Sequence, residues 1–314
     1  MTRLTAAIAA IALASGCSKG VANDFSSVLP DDRVKINMPI DDAGGLRSNV
    51  GDTAEYYQFT AQVTTDVNAL IGTVLDGVAY IADFEPTASD DSTSVWGPWE
   101  DDGIEGYMAM NYEEAEDTYT WALEFRNAGE TDDDWVTVYV GNIEEGATDE
   151  VSAGQFAIDF DAFSEFAVED GDELTGTFYV EYDVNEATTS AYVGFEDFSE
   201  NGSETTDIGY FYDQEHDEGG MMDLVFWADI TENEVQEAHI VRTRWHKEGD
   251  GRSDVYITDG DFGPLVYQAT ECWKRDHAVT FYEDNANFVS DGDEGMCTFG
   301  EPDWNDSEDA PAAG

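Results

Sequence analysis

Four segments of this sequence alternate apolar with polar or acidic residues at a period of two, and this pattern most constrains the fold. The segments are 118–126, 156–161, 178–183 and 222–229. Successive side chains of a β-strand point to opposite faces, so each segment predicts an antiparallel strand with one buried and one wet face. Acidic and glycine-rich turns separate the segments, as at Asn201-Gly202 and Gly219-Gly220.

The predicted fold class is mainly β (α+β), an antiparallel meander. Between Trp96 and Tyr282 we expect about 10–12 strands, many at hairpin spacing. A meander of that length leaves two unpaired edges unless it curls or closes, which favours a barrel-like sheet over a flat one.

One segment has a helical period instead. From Asp52 to about Phe84, apolar residues recur every three or four positions, which predicts one long N-terminal helix packed against the sheet. We expect Asp52 to be its N-cap, with Glu55 completing a capping box, and Pro86 to end it. A break near Gly72 is an alternative, because glycine weakens helix propensity.

The charge excludes whole classes of partner. The chain has 12 Lys+Arg against 71 Asp+Glu, a formal net charge of −59. Nucleic-acid binding depends on basic residues that neutralise phosphates, so no nucleic-acid partner is expected. Attraction to anionic lipid head groups is excluded for the same reason.

Arg126 is the only basic residue between Ser48 and Val241, so the acidic groups there must be solvated or bind cations. Adaptation to a saline environment is one interpretation, and calcium dependence is the other. The calcium candidates lie in Asp-Gly turns at Asp259, Asp261, Asp291 and Asp293. None of these turns completes a twelve-residue calcium loop.

The N-terminus reads as a targeting segment. A basic start with Arg3 and an apolar run from Leu4 to Ala14 predict a signal peptide over residues 1–16. The sequence Leu13-Ala14-Ser15-Gly16-Cys17 resembles the lipobox of bacterial lipoproteins, although that family prefers Leu where this chain has Ala14. The resemblance implies cleavage before Cys17, acylation of Cys17 and, from Ser18, an outer-membrane location. An ordinary signal peptide followed by an unmodified cysteine is the alternative.

Beyond the signal peptide we expect three regions. Residues 17–50 are predicted to be the acylated cysteine and a flexible tether, because they are polar and without periodicity. Residues 51–300 are predicted to form a single helix-plus-β domain, and residues 301–314 a disordered acidic tail.

Two cysteines remain in the predicted body. In an oxidising compartment Cys272 and Cys297 are expected to form a disulfide, the alternative being two reduced buried thiols. The stretches 245–254, 271–273 and 292–293, together with Cys297, resemble uncharacterised acidic β-rich bacterial lipoproteins. That resemblance implies a disulfide-closed terminal hairpin and no known activity.

One segment concentrates basic residues. On a strand, Arg242, Arg244 and His246 share one face, and Arg252 follows closely. Such a cluster is a candidate anion-binding site, because guanidinium groups bind oxyanions bidentately. Its alternative role is to neutralise neighbouring acidic strands.

Seven of the eight tryptophans lie between residues 96 and 273, where they could stack on a glycan, line a lipid pocket or fill a core. No catalytic motif is present, so no catalytic residue is assigned and an enzyme is not expected. The first hypothesis is a membrane-anchored, non-enzymatic module that binds a hydrophobic or amphipathic ligand. The alternative is a structural or adhesive surface lipoprotein with a packed core, and a hydrolase is the third. The oligomeric state is left open.

Overall fold

A computed structural model describes residues 29, 34–39, 50–115, 118–144, 151–166, 174–203, 205–229, 235–260 and 263–302. The predicted signal peptide, the lipidation site Cys17, the calcium candidate Asp261 and the tail beyond residue 302 lie outside the described residues.

Two α-helices occur in the described chain, α1 (Glu55–Ala82) and α2 (Phe160–Ser164). Neither is both long and apolar enough to cross a membrane. Short 3₁₀ turns occupy Asp132–Asp134 and Glu294–Met296. The strands are β1 (Ala88–Ser89), β2 (Thr93–Asp101), β3 (Ile104–Glu113), β4 (Thr118–Asn127), β5 (Val136–Ile143), β6 (Ser152–Asp159), β7 (Leu174–Val184), β8 (Thr188–Glu200), β9 (Thr206–Glu215), β10 (Gly219–Ala228), β11 (Glu237–His246), β12 (Gly251–Asp259), β13 (Gly263–Trp273), β14 (Val279–Asp284) and β15 (Val289–Gly292).

The antiparallel meander is confirmed, but the barrel-like closure and the strand number are wrong. Fifteen strands form one sheet in which every strand neighbours the next one in sequence, from β1 to β15. Among the described strands β1 pairs with β2 and β15 with β14, so the two ends do not pair with each other. The end strands β1 and β15 lie outside the span from Trp96 to Tyr282, and the thirteen strands that overlap this span still exceed the expected 10–12.

The chain divides into two compact units. The first comprises residues up to Lys35, Ala69–Glu186 and Phe195–Thr205. Its core includes the C-terminal part of α1, through Val74 and Val78, and the strand residues Met108, Met110, Trp121, Phe156 and Phe178. The indole N–H of Trp96 donates to the Phe84 carbonyl just beyond the helix, at 2.8 Å.

The second unit comprises Ile36–Asn68, Ala187–Gly194 and the chain from Thr206 onward. Its largest fully buried side chains are Trp245, Trp273, Tyr57 and Tyr212. The N-terminal half of α1 contacts the sheet face made by the odd-numbered residues of β11 and their neighbours. There, Thr60 Oγ1 lies 2.8 Å from Thr243 Oγ1, and Thr64 Oγ1 donates to Met222 Sδ.

The helix runs unbroken through Gly72, but its cap differs from the prediction. The helix begins at Glu55, three residues after Asp52, whose backbone carbonyl instead accepts a hydrogen bond from Val279 N. The first helical N–H groups are satisfied by the fully buried carboxylate of Glu271 on β13. It accepts from Glu55 N at 2.8 Å and from Tyr56 N at 3.0 Å.

Part of the predicted tether at 17–50 is packed rather than free. In the segment 34–39 the alternate residues Val34, Ile36 and Met38 are buried. The amide of Asn68 on α1 accepts from Ile36 N at 2.7 Å and donates to Ile36 O at 2.8 Å. Tyr212 Oη accepts from Asn37 N at 3.1 Å. The apolar alternation of this short segment was a signal that the tether prediction overlooked.

Candidate functional site

The predicted basic cluster lies on the face of β11 and β12 opposite α1. Arg242, Arg244 and His246 occupy alternate positions of β11, and Arg252 of β12 stands directly across from Arg244. The strand period brings Arg242, Arg244 and His246 to one face of the sheet, and the pairing of Arg252 with Arg244 adds Arg252 to that face.

Each arginine of the cluster is bound to a carboxylate. Arg242 donates two hydrogen bonds to Asp223, from Nε to Oδ1 at 2.7 Å and from Nη2 to Oδ2 at 2.5 Å. Arg244 and Arg252 share one carboxylate, Asp254, at 2.9 and 2.7 Å. Asp223 and Asp254 belong to β10 and β12, so the cluster does neutralise acidic strand residues. In the described part of the chain, Arg244 and Arg252 therefore share a single carboxylate.

We call residues 294–301 the C-terminal strap. The disulfide between Cys272 of β13 and Cys297 of the strap is present, as predicted. The Phe299 ring stacks on His246 at 4.6 Å between centroids and lies 5.5 Å from the Arg244 guanidinium. These contacts place the strap over the basic cluster.

Backbone carbonyls of the strap accept hydrogen bonds from the basic residues beneath it. Arg244 Nη2 donates to Gly300 O at 2.8 Å, and Arg252 Nη1 donates to Phe299 O at 3.4 Å. Lys274 Nζ donates to Met296 O at 2.7 Å. A surface depression of about 340 Å³ lies between Arg252 and the strap.

The electrostatic environment of Arg244 is unusual for an arginine. Burial lowers the pKa of the Arg244 guanidinium, and the neighbouring Asp254 opposes that shift. Arg244 Nε is buried and has no hydrogen-bond partner among the described residues. The guanidinium therefore keeps a donor that neither Asp254 nor the strap satisfies.

Two further polar groups lie in the second unit on the α1 side of the sheet. His239 is buried against Phe226, with ring centroids 4.6 Å apart, and burial lowers its pKa below the ordinary histidine value. His277 stacks on Tyr57 at 4.1 Å. Neither histidine joins the basic cluster.

In the first unit, Arg126 is held on three sides. It forms ion pairs with Glu105 at 2.6 Å and Asp132 at 2.8 Å, and its guanidinium lies 4.2 Å from the Trp135 ring centroid. The hydrogen bonds to Asp132 and Glu105 raise its pKa. Its role is local neutralisation and packing.

The calcium candidates are not brought together where their positions are described. Asp291 Oδ1 accepts from Gly292 N, and Asp293 Oδ1 accepts from Gly295 N, which are turn-forming bonds. The side chain of Asp259 lies outside the described residues. Within the described ranges, no group of three or more His, Cys, Asp or Glu side chains is placed to hold a metal ion.

The tryptophans divide between core and boundary. Trp96, Trp121, Trp245 and Trp273 are buried. Trp99, Trp135 and Trp227 are half-buried. Most of the aromatic content that suggested a glycan or lipid site therefore belongs to packed interiors.

Sequence reasoning missed three participants: Asp254, Glu271 and the strap. Asp254 and Glu271 are two of 71 acidic residues and carried no distinguishing signal. The strap acts largely through backbone carbonyls, which any residue provides. Comparison with family models, with curated proteins and with solved structures finds no match to this chain.

Proposed function

We propose that this protein is an extracytoplasmic lipoprotein of the outer membrane, anchored by acyl chains on Cys17. Its folded body is a non-enzymatic, packed scaffold that acts through its surface. The lipobox-like residues before Cys17 support the anchor. The Cys272–Cys297 disulfide supports an oxidising compartment, because disulfides persist outside the cytosol.

Direct contact between α1 and the sheet carries the scaffold proposal. A ligand atom between two side chains needs about 7–8 Å between them, two carbon contacts of about 3.5–4 Å each. Thr60 and Thr243 are instead hydrogen-bonded at 2.8 Å, and the ring centroids of Tyr57 and Trp273 are 5.3 Å apart. These contacts favour a packed core over a lipid-carrying module.

Intact-mass measurement tests the anchor. The purified protein should have the mass of the chain from Cys17 onward plus a diacylglyceryl group and an acyl chain. Cys17→Ser is the matched control and should leave the protein in the soluble fraction. An unmodified Cys17 on a processed chain would contradict the anchor.

Mass spectrometry of an organic extract tests the scaffold. Because a thioether-linked lipid stays attached to the protein, the extract reports only non-covalently bound molecules. We expect no lipid at stoichiometric amount. One lipid per folded, disulfide-bonded protein would refute the packed scaffold and favour the ligand-binding module.

A further inference from the structure

We infer that Arg244, Arg252 and His246 form an oxyanion-binding site, that the C-terminal strap covers it, and that the Cys272–Cys297 disulfide and the Phe299 ring are both needed to keep the strap in place. The ligand class is a small anion with two or more oxygen acceptors, such as a phosphate or a carboxylate. The inference does not depend on the membrane anchor or on the scaffold proposal.

Two arginine side chains beneath the strap depend on the same negative charge. Arg244 and Arg252 stand opposite each other and share the single carboxylate of Asp254. Arg252 is only 2% exposed, so solvent does little to compensate it. Buried charges require partners. Among the described residues, Asp254 is the carboxylate that pairs with both arginines, and their other hydrogen bonds go to neutral acceptors.

The neutral acceptors of the two arginines are backbone carbonyls of the strap. The carbonyls of Gly300 and Phe299 take one hydrogen bond from each arginine, at 2.8 and 3.4 Å. An anion that displaced these carbonyls would accept hydrogen bonds from the same two guanidinium groups. A charged acceptor forms a hydrogen bond roughly twice as strong as a neutral one. The long Arg252 contact and the unpartnered Arg244 Nε leave donor capacity that an oxyanion would use.

Most residues of the C-terminal strap are exposed to solvent. Cys297 and Phe299 are half-buried, whereas the other strap residues from Glu294 to Glu301 are exposed. Besides the disulfide and the Phe299 ring, its side chains make few anchoring contacts, such as Thr298 Oγ1 to Asp250 Oδ2 at 2.5 Å. The depression of about 340 Å³ beside Arg252 gives a small anion room at the edge of the strap, and Glu294 and Glu301, which also line it, oppose an anion there while the strap is closed.

The test opens the strap in two independent ways in the full chain. A neutral dithiol reduces the disulfide: two electrons and two protons convert the Cys272 and Cys297 sulfurs to thiols, and the dithiol becomes a cyclic disulfide. Alternatively, Phe299→Ala removes the ring from His246 while the disulfide stays. Met296→Ala is the matched control, because Met296 is an exposed strap residue and is not among those contacting the arginines.

Thermal melting is measured in sodium phosphate and in sodium chloride at equal ionic strength and pH, and repeated with acetate to separate phosphate from carboxylate recognition. With the strap opened by either route, phosphate or acetate at ten times its dissociation constant should raise Tm by about 3–6 °C over chloride. Disulfide-bonded wild type and Met296→Ala should show little anion-specific gain. Adding Arg244→Gln or His246→Ala to Phe299→Ala should remove it.

Three results would overturn the inference. One is a folded Phe299→Ala protein that responds equally to chloride, phosphate and acetate. Another is an anion-specific gain that survives both Arg244→Gln and His246→Ala. The third is an equal gain in the disulfide-bonded wild type, since the strap would then cover nothing.

Discussion

The buried carboxylate of Glu271 should be a main determinant of stability in the second unit, and Glu271→Gln tests this. Glutamine preserves the shape of the side chain but replaces one acceptor oxygen with an amide NH₂. In the structure one carboxylate oxygen accepts from Glu55 N at 2.8 Å and the other from Tyr56 N at 3.0 Å. The variant can therefore keep only one of these two bonds.

The expected cost follows from two terms. Losing one hydrogen bond to a charged, buried acceptor costs about 1.5–3 kcal/mol. Removing a negative charge from a helix N-terminus costs about 0.3–1 kcal/mol more. The sum is about 2–4 kcal/mol, and at about 2–4 °C per kcal/mol Tm should fall by roughly 5–15 °C.

Urea unfolding followed by circular dichroism, together with calorimetric Tm, measures the effect. The matched control is Glu55→Gln, which makes the same change in charge in the first turn of α1 but should cost only about 0.3–1 kcal/mol. If Glu271→Gln and Glu55→Gln lower the unfolding free energy by the same small amount, Glu271 does not cap the helix.

Four further predictions follow from single features. Phe288 is 93% exposed and has a left-handed φ of 53°, so Phe288→Gly should stabilise by about 0.5–1 kcal/mol in urea unfolding, whereas Phe288→Ala, which keeps the strain, should not. Because burial lowers the pKa of His239, the unfolded chain binds the proton first as pH falls through about 6.5. Stability should therefore decline from pH 7 to 5, and His239→Gln should flatten that slope in urea titrations at each pH. Asn68→Ala removes both bonds to Ile36 and should speed limited proteolysis near residues 34–39; an unchanged cleavage pattern would mean that Asn68 does not hold the segment. Raising NaCl from 0.05 to 1 M should increase Tm steeply, since the screening length shrinks from about 14 Å to about 3 Å; a flat response would refute repulsion between solvated acidic groups, and a gain from millimolar calcium at fixed ionic strength would indicate specific sites.

The elements most accessible from sequence were those set by local periodicity. The period of two from Tyr119 to Phe125 and the three-to-four spacing through α1 each reflect which side chains face an apolar core, so strand and helix types were predictable. The shared face of Arg242, Arg244 and His246 was predictable for the same reason.

Long-range pairing was not accessible in this way. Glu271 caps a helix that begins 216 residues earlier in the chain, while Asp52 had the local signature of a cap. The partners of Arg242, Arg244 and Arg252 could not be predicted from sequence, because the chain has many acidic residues and every residue has a backbone carbonyl. Closure of the meander depended on whether two distant edges meet, which no local pattern encodes.

The two ends of the sheet have a consequence for behaviour in concentrated salt. An unpaired strand edge is a template on which another chain can add a strand, and electrostatic repulsion between copies of net charge −59 weakens as salt screens it. The sheet ends in a two-residue strand, β1, and a four-residue strand, β15, that carries Asp291. The short β15 offers few backbone hydrogen bonds to an incoming strand, whereas β1 covers only Ser94 and Val95 of the nine-residue β2. We expect the β15 end of the sheet to be the poorer template for strand addition between copies as salt screens their repulsion.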